Sequence, residues 1–165
     1  MRDTYKNIWM WALYGLLFLL TAAVQTVVFG RDAVLGAKLC MMPVLLACVA
    51  MHTDAQGGAL YGLIVGAVWC FSGADGGALH ILLFSVCGAV IGYLCDRYLR
   101  RQLLCSLLMS LLALVLCQTV LFLFKFYIGT AVPAHLRQTL LQIAVSMLCC
   151  PPLYLAAWAI RKAGA

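Results

Sequence analysis

The stretch Gly58–Arg97, GALYGLIVGAVWCFSGADGGALHILLFSVCGAVIGYLCDR, decides the fold. Asp75 is its single charge before Asp96, so it reads as two apolar segments divided by the turn-forming residues from Ser72 to Gly77. In the first segment Gly58, Gly62 and Gly66 recur every fourth residue and therefore share one face of a helix. Gly88 and Gly92 repeat that spacing in the second. Lipid hydrocarbon supplies no hydrophobic drive between helices, so close approach through small residues is how they associate. These five glycines are predicted to bring their helices backbone to backbone against other helices, preferably of the same chain and otherwise of a partner.

Outward from this stretch the chain stays apolar. Of 165 residues, 66% are hydrophobic and 10% charged, with no glutamate, against roughly 25% charged in an average soluble domain. A water-soluble domain of this size has too much surface to hide so many apolar side chains, and disorder requires the opposite composition. The chain belongs in a bilayer. Its net charge of +6 is scattered at the ends of the apolar runs, which implies anchoring at anionic lipid rather than nucleic-acid binding.

The charges delimit the spans. Charge-free runs cover residues 7–30, 39–53, 55–74, 76–95, 102–124 and 138–160, and a helix needs about 20 apolar residues to cross. The 39–53 run reaches that length when it begins near Ala33 and Lys38 snorkels to the interface. One all-α membrane domain over residues 1–165 is therefore expected, with six spans near 8–29, 34–51, 59–72, 78–95, 103–128 and 140–160, five being the fallback. Six spans put Arg2, Lys6, Arg97, Arg100, Arg101, Arg161 and Lys162 on one side and Arg31, Lys38, Lys125 and Arg137 on the other. The basic excess belongs in the cytoplasm, so both termini are expected inside. Arg2 and Lys6 precede an apolar stretch from Ile8 to Val24 that is longer than a signal-peptide core and lacks a clear cleavage site, which reads as a retained first helix.

Few groups inside these runs carry chemistry. All nine cysteines lie within the apolar runs, with no C-x-x-C pair and no histidine at ligand spacing, and read as small hydrophobes. Gln25, Thr26, Gln118 and Thr119 are suited to hydrogen bonds between helices worth on the order of 1 kcal/mol. Asp75 and His80 flank the entrance to the fourth span, and Lys125 reads as an interface anchor. Cys149-Cys150-Pro151-Pro152 stands mid-span; two prolines remove two backbone donors and force a kink or break. Such a break lines a substrate site in some transporters and merely shapes the bundle in a scaffold. The pentapeptide Gly57–Tyr61 recurs as Gly76–His80 with a single change, which reads as two helix entrances. The histidines lie in separate loops, and neither paired carboxylates nor a nucleophile with its base is present. No enzyme, cofactor or metal is expected.

The order of these features resembles the rod shape-determining MreD family over most of the chain. The resemblance rests on a first helix ending near Gln25-Thr26, a second containing Pro43, the segment Ala59–Trp69, the Gly77–Leu83 helix entrance, the basic cluster Arg97, Arg100 and Arg101, and a last helix with prolines and a basic end. It departs from the family's pattern at Cys70, where an acidic residue follows the aromatic; the nearest acid here is Asp75. The resemblance implies a non-enzymatic scaffold in the bacterial inner membrane, working in cell elongation with the single-span protein MreC, the actin-like MreB filament, and RodA-type peptidoglycan synthase with its transpeptidase. It also implies a six-helix fold similar to the substrate-binding subunits of energy-coupling-factor transporters. A vitamin-binding transport subunit is therefore the alternative, disfavoured because the first span lacks a clear i, i+4 alanine pair.

Overall fold

A computed structural model of the chain describes residues 2–27, 40–71, 77–98, 102–127 and 134–164. Seven helices account for nearly all of them: α1 (Arg2–Val27), α2 (Met42–Ala50), α3 (Ala55–Phe71), α4 (Leu79–Arg97), α5 (Leu103–Tyr127), α6 (Ala134–Met147) and α7 (Cys150–Gly164). Three are long and apolar enough to cross a bilayer, over Ile8–Val27, Leu79–Arg97 and Leu103–Phe124. The pair α6–α7 makes a fourth if it is counted as one span bent by 45°. The chain is thus an all-α, multi-pass membrane protein with three to four candidate spans.

The second expected span, 34–51, is where sequence and structure part. Its helix is only Met42–Ala50, nine residues, or about 14 Å of rise against roughly 30 Å of hydrocarbon; residues 34–39 lie outside the described residues. α2 is instead the centre of the fold. Its sequence, MPVLLACVA, has no polar side chain, and every residue from Met41 to Thr53 is buried. A helix that is apolar all round belongs in an interior, and α2 packs against α1, α3, α4, α5 and α7. Nine residues make a marginal helix alone, so these neighbours hold it. Pro43 fits because its missing N–H falls in the first turn, where no intrahelical acceptor exists.

One further boundary differs from expectation. The third span, expected from residue 59, begins as α3 at Ala55, where the Asp54 carboxylate accepts the Gly57 N–H at 3.3 Å. The last expected span, 140–160, breaks where its prolines were expected to break it, into two helices with a turn at Leu148 and Cys149. There the N–H groups of Leu148 and Cys149 reach back three residues, to Val145 and Ser146. Pro151 and Pro152 follow with no N–H to continue the ladder.

Candidate functional site

α3 and α4 form the tightest pair in the molecule, antiparallel and in a register set by glycine. A Cβ added at Gly58 would strike the Gly88 carbonyl, and one at Gly88 the Gly58 carbonyl. At Gly62 it would strike the Phe84 carbonyl. At Gly66 it would lie 2.7 Å from the Ile81 Cα, and at Gly92 2.8 Å from the Asp54 carbonyl oxygen. All five glycines singled out in the sequence thus lie in one seam, and the surface they present is taken up within the chain.

α2 is held by polar groups from helices distant in sequence. The Met41 N–H donates to Gln25 Oε1 of α1 at 3.1 Å, and the Cys40 N–H donates to Ser146 Oγ of α6 at 3.0 Å. A helix start leaves its first N–H groups without intrahelical acceptors, and away from water each costs several kcal/mol if nothing accepts it. Gln25 and Ser146 supply what a local cap residue supplies in a soluble helix. Further along α2, Cys48 Sγ lies 3.5 Å from Ser106 Oγ of α5; Cys150 Sγ lies 3.6 Å from the same hydroxyl and 3.4 Å from Ser110 Oγ. This buried cluster ties α2 and α5 to the start of α7, where the α6–α7 break lies. Past the end of α2, the His52 ring packs on Tyr154 with centroids 5.4 Å apart, and Thr53 Oγ1 donates back to the Val49 and Ala50 carbonyls. Elsewhere in the interior Tyr61 Oη donates to the Tyr14 carbonyl at 3.3 Å.

The remaining sequence candidates are dispersed. His80 is buried at the start of α4, its N–H on the Gly77 carbonyl and its ring edge-on to Phe84. Thr26 bonds to its own helix at Ala22, Thr119 is exposed and Gln118 is half-buried. Arg97 is exposed, with its guanidinium 6.0 Å from the Tyr93 ring, and Lys162 stands 5.2 Å from the Trp158 ring. Arg100, Arg101 and Asp75 lie outside the described residues. The cysteines of the described helices are free thiols, most of them buried. Among the described residues no cluster of three or more His, Cys, Asp or Glu side chains could hold a metal.

Sequence reasoning missed Ser106, Ser110 and Ser146. The first two left a signal: four residues apart, they mark one polar stripe on the otherwise apolar stretch Leu103–Cys117 of α5. Arranged this way, the groups lock one interior helix in depth and rotation. The geometry defines a class, a multi-pass helical membrane protein built around a buried half-length helix. Comparison with family models, curated proteins and solved structures found no match.

Proposed function

We propose that the protein is a non-enzymatic membrane scaffold of the MreD kind, acting in the bacterial inner membrane in cell-wall elongation. The observation that carries this reading is the interior of the bundle. α2, the Gln25 and Ser146 acceptors and the Cys48–Ser106–Ser110–Cys150 cluster partner one another, which suits a rigid body that holds other proteins in place. In this reading α2 and the residues before it make one of six crossings, with both termini and the cluster Arg97, Arg100 and Arg101 in the cytoplasm. The partners are an MreC-like single-span protein, an MreB-like filament and a RodA-type synthase with its transpeptidase. The basic cluster meets anionic lipid, at about 1 kcal/mol per residue near the surface.

One observation favours the alternative of an energy-coupling-factor-type vitamin-binding subunit. The start of α2 meets α6 at Ser146, beside the α6–α7 break, and helix breaks at depth line substrate sites in transporters. Purification of the tagged protein from its native membrane in mild detergent, with identification of what accompanies it, separates the two. A single-span coiled-coil protein and wall synthases are expected. An ATPase pair with a helical coupling subunit overturns the scaffold reading.

A further inference from the structure

Between α2, α5 and α7 four side chains converge that no solvent reaches: Cys48, Ser106, Ser110 and Cys150 are each 0% exposed. One hydroxyl, Ser106 Oγ, lies 3.5 Å from Cys48 Sγ and 3.6 Å from Cys150 Sγ, and Ser110 Oγ lies 3.4 Å from Cys150 Sγ. The two thiols also hydrogen-bond to each other. Thiols are weak donors and weak acceptors, so packing gains little from gathering them here with two hydroxyls. A soft metal ion gains much more, because thiolate sulfur selects ions such as Cu(I). Zinc takes four protein ligands in a closed site, and among the described residues no third His, Cys, Asp or Glu joins this pair. A soft monovalent ion needs only two sulfurs in line. Two metal–sulfur bonds of about 2.3 Å set the sulfurs about 4.6 Å apart, little more than the separation of hydrogen-bonded thiols.

Charge decides whether the pair can hold such an ion. Both thiols must lose their protons, so one Cu(I) and two S–H groups give a bis-thiolate complex of charge −1, and two protons leave to solvent. Copper stays Cu(I), and no electron is transferred. An unsupported charge at this depth is costly. Here the Ser106 and Ser110 hydroxyls are placed to donate to the sulfurs. Cys150 is also the first residue of α7, the end at which a helix dipole favours negative charge. The α6–α7 break sets that end inside the bundle, where Cys150 is fully buried.

We propose that Cys48 and Cys150 form a two-coordinate site for one soft monovalent cation of the Cu(I) class, with Ser106 and Ser110 donating hydrogen bonds to the sulfurs. The ion ties α2 to α7 beside the break. This inference is independent of the scaffold reading. The test is transfer of Cu(I) from its bicinchoninate complex to the reduced full chain in mild detergent without oxygen. One equivalent is expected to transfer. Cys48→Ser and Cys150→Ser each abolish transfer, Ser110→Ala weakens it about tenfold, and Cys149→Ser leaves it unchanged. X-ray absorption by copper on the unaltered chain needs no substitution and shows two sulfur neighbours. Failure of the unaltered chain to take the ion overturns the proposal. Transfer that survives loss of Cys48 and Cys150 together overturns it too, as does a coordination shell of three or more sulfurs.

Discussion

The two sides of α4 make opposite contacts. Toward α3 it presents Gly88 and Gly92, and the backbones approach until no Cβ would fit. Toward α5 it presents Leu79, Leu82 and Val86, and the helices leave a groove. Hydrophobicity does not distinguish the sides, since both are apolar. Side-chain size does, because dispersion contacts require atoms to meet and hydrocarbon exerts no pressure to close a gap. One helix can therefore be welded on one side and open on the other with no change in polarity.

The strongest way to break the welded side is Gly62→Leu. The added side chain meets the Phe84 carbonyl and the Ser85 Cα of α4, and backbone cannot move aside as a flexible side chain can. A loss of about 3 kcal/mol or more is expected, read as a lowered unfolding midpoint in mild detergent. Gly88→Ala should follow at about 1–3 kcal/mol, because its Cβ meets the Gly58 carbonyl. If either variant keeps the native midpoint, the glycine seam is not what joins α3 to α4.

The polar attachment of α2 comes next in size. Gln25→Leu preserves volume but removes the acceptor of the Met41 N–H, a buried donor that no water reaches, at about 1–3 kcal/mol. Gln25→Glu keeps an acceptor in place and should lose less. Equal losses would show that shape, and not the hydrogen bond, is what Gln25 contributes.

How legible these regions were follows from how far apart in sequence their partners lie. The glycine face could be read because its members stand four residues apart, and the α6–α7 break because Pro151 and Pro152 are adjacent. The length of α2 could not be read from composition, since an apolar run looks alike in lipid and in a protein interior. Its true nature depends on Gln25 and Ser146, which are 16 and 106 residues from the groups they bind. The Cys48–Ser106 and Ser110–Cys150 contacts, 58 and 40 residues apart, escape sequence reading for the same reason. The six-span count was inferred from charge-free lengths and the placement of the basic residues; of these, the described helices supply three to four candidate spans, because length and charge are blind to how a run packs inside the bundle.

On the open side of α4 the expected effects are small. Leu82 is 68% exposed, so Leu82→Ala removes few protein contacts and should change stability by no more than about 0.5 kcal/mol. A loss comparable with that of Gly88→Ala would place a protein surface over the groove.

Gly15 of α1 sharpens the comparison furthest, because it is a glycine without a seam. A Cβ there meets nothing within 4 Å, whereas the same atom at Gly62 strikes backbone. In isolation Gly15→Ala relieves the helix-propensity penalty of glycine, up to about 1 kcal/mol. The unfolding midpoint of the purified chain is therefore expected to hold or rise slightly. The measurement that matters is the same substitution made in the native membrane. A midpoint unchanged in detergent together with weakened co-purification of a single-span protein would mean that Gly15 does for a partner helix what Gly62 does for α4. Unchanged co-purification would leave Gly15 a tolerated glycine facing lipid. A scaffold of the proposed kind would then have to hold its partners through other surfaces.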